Sequence, residues 1–207
     1  ALNAPNGRWL VYSTNPSTDF SGGLVYDFRQ YGLTYSGAAY SGPGIGNGVI
    51  YSLAPVATPT FVAAVTKVYD GTTAVTGATS LSATGANGDV LSLSSSSVLY
   101  ADKNAGIGNK TVTASGLSVS ATDSAGKPVY GYSVAPSLSY GGGTITQASL
   151  SLGGLTANNK IYDGTAVATV NGTLTGVIAG DSVSIATSTA AFNDKNVGVA
   201  KPVNVTA

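Results

Sequence analysis

The chain has 207 residues, with nine Lys or Arg against nine Asp, so its formal net charge is zero and only 9% of it is charged. Soluble domains are ordinarily about 25% charged, and nucleic-acid binders carry a basic excess that neutralises phosphate, so we expect no nucleic-acid partner. Glu, His, Cys and Met are absent, which removes the usual general base, thiol nucleophile, zinc ligands and disulfides. No apolar run approaches the roughly 18 residues of a membrane span.

The composition predicts an all-β chain. It contains 28 Gly and many β-branched residues and almost no strong helix formers, and Gly interrupts it too often for long helices. Hydrophobic residues make up 43% of the chain, which distinguishes it from disordered Gly/Ser linkers that bury too little surface to fold.

Residues 1–56 are predicted to form an aromatic, β-rich connector or cap. They hold the single Trp, both Arg and half of the twelve Tyr, in strand-like runs at 8–13, 23–28 and 49–53. One interpretation makes the aromatic rings a small core, and the other makes them a solvent-facing strip that stacks on a ligand. The rings concerned are Trp9, Tyr12, Tyr26, Tyr31, Tyr35 and Tyr40.

Pro55 and Pro59 indicate a boundary, because Pro cannot donate to a sheet ladder and stiffens a short connection. A complete module is predicted after it, over residues 57–148. Its first strand ends at Tyr69 and is followed by Asp70-Gly71, a strong turn signal because Gly takes a positive φ without penalty. We expect the Tyr69 ring to be buried, with its hydroxyl bonded to backbone.

A second turn is predicted in the same module, where Asp102, Asn104 and Gly106 follow a strand. Asp caps nearby backbone amides, and Asn tolerates the left-handed region. These residues are therefore assigned to backbone geometry.

Three blocks of this module recur in the same order, which predicts tandem immunoglobulin-like β-sandwich modules after the aromatic segment. Residues 67–72 (Lys-Val-Tyr-Asp-Gly-Thr) return at 160–165, Gly88-Asp89 returns at 180–181, and residues 100–106 return at 192–198. The turn residues of the second copy, residues 149–207, are Tyr162, Asp163, Gly164, Asp194, Asn196 and Gly198.

The second copy is incomplete, because residue 207 corresponds to residue 115 of the first copy. An unfinished sheet leaves an unpaired edge, which is a template for strand addition. We therefore expect the residues after about Ala190 to be poorly packed, or to be completed by pairing with a strand of a neighbouring copy.

The repeated acids raise the question of catalysis. Asp70 with Asp102, or Asp163 with Asp194, would be formal carboxylate pairs for a glycosidase or an aspartic protease. A role in shaping backbone turns explains better why each pair is duplicated beside Gly and Asn. We therefore expect the chain to have no enzymatic activity and no cofactor. Calcium binding is a better alternative than catalysis, because Ca²⁺ takes oxygen ligands from Asp and Asn. The sequence lacks the residue spacing of a calcium-binding loop, so no metal is assigned.

The repeated blocks resemble the YDG-type repeat modules of large bacterial adhesins of the filamentous-haemagglutinin class. The segment from Asn6 to Pro55 is similar to the stretch that joins the β-rich shaft of such adhesins to their first repeat. The resemblance implies export by two-partner or similar secretion, and a location that is extracellular, secreted or at the bacterial cell surface.

Two functions follow as expectations. The first is a structural stalk or spacer that supports adhesion or biofilm formation. The alternative is a carbohydrate- or matrix-binding module that uses the Tyr/Trp-rich N-terminal segment, with a glycan, matrix component or host surface as its ligand. Three or more exposed rings on one strip would favour the alternative.

Overall fold

A computed structural model describes residues 2, 4–5, 7–19, 23–75, 77, 79–185 and 189–206. Asn6, where the connector-like segment begins, and residues 20–22 within that segment lie outside this range. The described chain is built almost entirely of strands, and helix is limited to two 3₁₀ turns at Pro16–Thr18 and Ala86–Gly88. The all-β prediction is confirmed.

The described residues form eighteen strands that alternate with tight turns, as the high Gly content predicts. In chain order they are β1 (Leu10–Ser13), β2 (Phe28–Gln30), β3 (Gly48–Tyr51), β4 (Val56–Ala57), β5 (Thr60–Phe61), β6 (Thr66–Val68), β7 (Leu81–Ser82), β8 (Val90–Ser94), β9 (Ser97–Tyr100), β10 (Gly106–Ser115), β11 (Ser118–Thr122), β12 (Pro128–Tyr130), β13 (Ser133–Val134), β14 (Ser137–Thr146), β15 (Ser151–Ala157), β16 (Val170–Thr175), β17 (Thr189–Phe192) and β18 (Val203–Thr206).

The chain divides into two compact units. The first comprises residues 1–67, 73–102 and 106–145. The second comprises residues 68–72, 103–105 and 146–207. Two short pieces of the first repeat copy, one from each predicted turn, therefore belong to the second unit.

The largest sheet of the first unit has the strand order β1-β3-β2-β12-β11-β8. Its N-terminal strands pair in parallel, and β2 also pairs in parallel with β12 of the repeat. The remaining pairs, β12 with β11 and β11 with β8, are antiparallel. Strands from both sides of Pro55 thus share one sheet, and the boundary at residue 56 stays a prediction from the sequence.

The core of the first unit lies on this mixed sheet. Its buried members are Tyr31, Val49, Tyr51, Ala121 and Val129, with Trp9, Tyr26 and Tyr132 packed against them. A second sheet of order β6-β14-β10-β9 buries Val112 and Ile145 completely.

The second unit repeats the pairing of the first repeat copy. Strand β15 pairs with β16 as β5 pairs with β7, and β17 pairs with β18 as β9 pairs with β10. An isolated bridge between Ala74 and Leu99 recurs between Val167 and Ala191. The sequence repeat is therefore also a repeat of strand pairing.

Little of the second unit is buried. Within its described residues from 146 onward, Ala168 is the one buried apolar side chain, while Val197 and Val199 are 87% and 99% exposed. The expectation of loose packing after about Ala190 concerns this region, where β17 and β18 pair with each other and residues 195–200 are exposed.

Candidate interaction sites

The Asp-Gly-Thr turn has the same geometry in both copies. The Asp70 carboxylate accepts hydrogen bonds from the backbone amide and the hydroxyl of Thr72, both at 2.9 Å. Asp163 accepts the same pair from Thr165, at 2.9 and 3.0 Å. Gly71 and Gly164 have φ of +78° and +77°, a conformation that only Gly adopts without strain.

The tyrosines that precede these turns differ. Tyr69 is half-buried, and its hydroxyl donates to the Asp181 carboxylate at 2.8 Å. Tyr162 is 59% exposed. The expected backbone partner of the Tyr69 hydroxyl is therefore replaced by a carboxylate from the second repeat copy, because the Gly180-Asp181 segment folds beside Tyr69 within the second unit.

The second turn is closed by a lysine in each copy. Lys110 lies 2.6 Å from Asp102, and Lys201 forms the equivalent ion pair with Asp194. Asp194 also accepts a hydrogen bond from the Asn196 amide at 2.7 Å.

Neither Asn104 nor Asn196 takes the left-handed conformation that the sequence suggested for Asn. In the described turns Gly108 and Ala200 do so instead, with φ of 65° and 53°. The ion pairs of Lys110 and Lys201 close the second turn of each copy, and the left-handed residue that reverses the chain comes a few positions after the Asn. Gly106 and Gly198 leave room for the lysine side chains. A Cβ on Gly106 would lie 3.0 Å from the Lys110 side chain, and a Cβ on Gly198 would lie 3.2 Å from that of Lys201.

The turn acids of the second copy, Asp163 and Asp194, are held as carboxylates by their turns. The hydrogen bond from Lys160, followed by those from the Thr165 amide and hydroxyl, lowers the pKa of Asp163 to about 2. Lys201 and the Asn196 amide likewise lower the pKa of Asp194. Across the described residues, no three acids lie close enough together to hold a metal ion.

A buried polar cluster in the first unit was not assigned from the sequence. Asp89 is buried and forms an ion pair with Arg29. It also accepts hydrogen bonds from the hydroxyls of Tyr31 and Tyr132, at 2.9 and 2.8 Å. The repeated Gly88-Asp89 pair was the available signal, but a dipeptide alone does not reveal partners that lie about 43 to 60 residues away.

The environment of this cluster keeps its tyrosines neutral. Burial, and then the hydrogen bond to Asp89, raises the pKa of Tyr132 to about 12, and the same causes raise the pKa of Tyr31 well above its ordinary value. Tyr26 bonds to Asp123 at 2.7 Å, and burial followed by this bond raises its pKa to about 12.

The six candidate stacking rings do not form an exposed strip. Tyr31 is buried, Trp9, Tyr12, Tyr26 and Tyr40 are half-buried, and Tyr35 alone among the six is exposed, at 70%. Tyr40 stacks on Phe28, and Tyr35 contacts Tyr12 edge-on. Most of these rings therefore pack within the first unit.

Two of the six rings do line a cavity of about 620 Å³ in the first unit. Tyr12 and Tyr26 share its wall with Tyr51, Asp19 and Arg29. The Nε atom of Arg29 is buried and has no hydrogen-bond partner among the residues that the structure describes. Aromatic faces, hydroxyls and a guanidinium are groups that bind a polar ring such as a sugar.

Comparison with known families identifies the repeats. The YDG domain model matches residues 54–136 and 146–207. The chain therefore belongs to the YDG domain family, which confirms the YDG-type resemblance of the repeated blocks. No curated protein and no solved structure shows detectable similarity.

The sequence predicts no membrane-spanning segment. No helix in the described part of the chain is long and apolar enough to cross a membrane.

Proposed function

We propose that this chain is a structural spacer: tandem repeats in the stalk of a bacterial adhesin of the filamentous-haemagglutinin class, exported and placed outside the cell. The observation that carries the proposal is the repeated strand pairing and turn geometry of the two copies. A spacer needs each repeat to form the same scaffold, and it needs no reactive group.

The chemistry of the acids supports the same proposal. Asp70, Asp163 and Asp194 accept backbone amides of their own turns, and Asp89 is enclosed by an arginine and two tyrosines. Acids engaged in this way stabilise backbone and core. The chain accordingly acts without catalysis, metal or cofactor, and each complete repeat is an immunoglobulin-like sandwich.

The composition fits export. A chain without Cys cannot cross-link prematurely, and Asp-Gly turns that form from their own residues suit a chain that crosses a membrane unfolded. The spacer would support adhesion and biofilm formation by holding a binding tip away from the cell.

The experiment that tests the spacer function is made in the producing bacterium. Residues 57–207 are deleted, and in a matched strain they are replaced by an unrelated folded repeat of equal length. The proposal expects deletion to reduce adhesion and replacement to restore it, with the protein labelled on intact cells by a membrane-impermeant reagent. Full adhesion without any spacer, or absence of surface labelling, would reject the proposal.

A second function is favoured by one observation, the cavity with the unpartnered Nε of Arg29. We infer that this cavity is the site of the carbohydrate- or matrix-binding alternative. On a glycan array, Tyr12→Ala should abolish binding, while Tyr162→Ala, which changes an exposed tyrosine of the second unit, should leave it unchanged. If the unaltered chain binds no glycan on the array, the carbohydrate-binding alternative is rejected and the spacer function stands as the single proposal.

A further inference from the structure

The two copies present the same turn surface in two different states. We define the turn surface of a copy as its Tyr-Asp-Gly-Thr turn together with the Lys-Asn-Ala/Val stretch of its second turn. The first turn surface comprises residues 69–72 and 103–105, and the second comprises residues 162–165 and 195–197.

The first turn surface holds a loop of the second copy. Its partner is the Gly-Asp loop, Ile178–Asp181, which belongs to the same compact unit. The Tyr69 hydroxyl donates to Asp181 at 2.8 Å, and the Lys103 ammonium lies 3.9 Å from the same carboxylate. A Cβ on Gly71 would lie 3.0 Å from Ile178, so the loop packs directly on the turn glycine.

The second turn surface has equivalent residues and, within the described part of the chain, none of these contacts. Tyr162 is 59% exposed and Val197 is 87% exposed. A Cβ on Gly164 would meet nothing within 4 Å, although Gly164 has the same φ as Gly71. Tyr162, Lys195 and Val197 line an open cavity of about 440 Å³. Exposed apolar groups concentrated at one place are typical of an interaction surface.

Both Gly-Asp loops bind a tyrosine from earlier in the chain. Asp89 accepts the hydroxyl of Tyr31, and Asp181 accepts the hydroxyl of Tyr69. A carboxylate that accepts a tyrosine hydroxyl is therefore a repeated contact of this fold, and the second turn surface offers the next donor in the series.

We propose that the second turn surface binds the Gly-Asp loop of a following YDG repeat in the same chain. The Tyr162 hydroxyl donates to the aspartate of that loop, Lys195 lies beside the carboxylate, and Gly164 receives the apolar residue that corresponds to Ile178. The proposal rests on the tandem-repeat part of the proposed function, and it is independent of where the protein acts.

The test lengthens the chain in register. Residues 116–207 are added directly after residue 207, because residue 207 corresponds to residue 115, so that a following Gly-Asp loop becomes available. Hydrogen exchange of residues 162–165 and 195–197 is then compared between the 207-residue chain and the lengthened chain. We expect exchange there to slow by about tenfold in the lengthened chain, as a charged hydrogen bond closes over the turns.

Matched variants identify the contact. In the lengthened chain, Tyr162→Phe, or Asp181→Asn made only in the added copy, should restore fast exchange at the second turn surface. Tyr162→Phe should have no effect on the 207-residue chain. Tyr69→Phe serves as the positive control, because it removes the equivalent bond at the first turn surface in both chains.

Three results would overturn the proposal. The first is equal exchange in the two chains. The second is protection that persists in both lengthened variants. The third is protection that appears in the 207-residue chain as its concentration rises, which would assign the surface to association between molecules. None of these results alters surface labelling or adhesion of cells, so failure here is distinguishable from failure of the spacer proposal.

Discussion

Asp89 is the centre of the buried polar cluster in the first unit. Its side chain is fully buried and faces one cation and two hydroxyl donors. Burying a carboxylate is costly unless its oxygens are satisfied, and here Arg29, Tyr31 and Tyr132 satisfy them. The cluster also joins the N-terminal segment to the first repeat, because Arg29 lies in β2 and Tyr31 follows it directly, whereas Asp89 and Tyr132 lie in the repeat.

Asp89→Asn is expected to destabilise the first unit by about 3–5 kcal/mol, because the Arg29 guanidinium would stay buried without a counter-charge. Urea unfolding followed by the fluorescence of Trp9, the single Trp of the chain, measures this change in the first unit. The matched control is Asp181→Asn in the second unit, which should leave the Trp9 transition in place. Equal transitions for Asp89→Asn and the unaltered chain would show that the cluster contributes nothing.

The same cluster predicts a loss of stability in alkali. The folded state raises the pKa of Tyr26 and Tyr132 from 10.0 to about 12, so it holds these protons more tightly than the unfolded chain does. The resulting stability is complete below pH 10 and is lost as the pH rises from about 10 towards 12.

The measurement is the urea midpoint of the Trp9 transition at several pH values across that window. The double variant Tyr26→Phe/Tyr132→Phe should weaken the dependence without removing it, because the raised pKa of Tyr31 remains, and Tyr162→Phe should leave the dependence unchanged. A flat midpoint in the unaltered chain would contradict the prediction.

Among the elements, the parallel pair β2 and β3 depends on a glycine. Gly48 lies opposite Phe28 in the register, and a Cβ on Gly48 would collide with the Phe28 ring. Phe28 is completely buried and stacks on Tyr40, so the ring has little room to move.

Gly48→Ala is therefore expected to cost about 1–3 kcal/mol through overpacking. Gly141→Ala is the matched control, since Gly141 also lies in a strand of the first unit and a Cβ there would meet nothing within 4 Å. Thermal unfolding followed by Trp9 fluorescence compares the two variants. If the two variants unfold at the same temperature, the close approach of Gly48 to Phe28 does not contribute to stability.

The sequence predicted the elements whose signals are local. The Asp-Gly turns at Asp70 and Asp163 form where the motif stands, because a turn is specified by its own residues. The partners of Asp89 and the parallel pairing of β2 with β12 depend on contacts between residues 43 to about 100 positions apart, which no short motif encodes. The same limit applies to the cavity at Arg29, which is formed by strands from separate parts of the chain.

At the scale of the whole molecule, the compact units do not follow the repeat boundaries. Residues 68–72 and 103–105 precede the second copy in sequence but belong to the second unit. The 57–148 and 149–207 modules stay predictions from the sequence, and the second compact unit combines parts of both copies.

A chain that ends at Thr146 tests this division. We expect it to keep the Trp9 unfolding transition, because the Asp89 cluster and its core lie before residue 146. Hydrogen exchange at 68–72 and 103–105 should become faster, because the Gly-Asp loop that contacts Tyr69 and Gly71 is gone. Unchanged protection at these two segments would assign them to the first unit.

The parallel pairing of β2 with β12 has a consequence for the order in which this chain folds. Phe28–Gln30 can pair with β3 early, but their other edge stays unpaired until Val129 and Tyr130 are present. In a chain that is made or exported from its N-terminal end, about 100 residues must follow β2 before that ladder can close. Pairing across such sequence distances also makes folding slow, so the N-terminal aromatic residues spend that interval without the neighbours that the first repeat supplies.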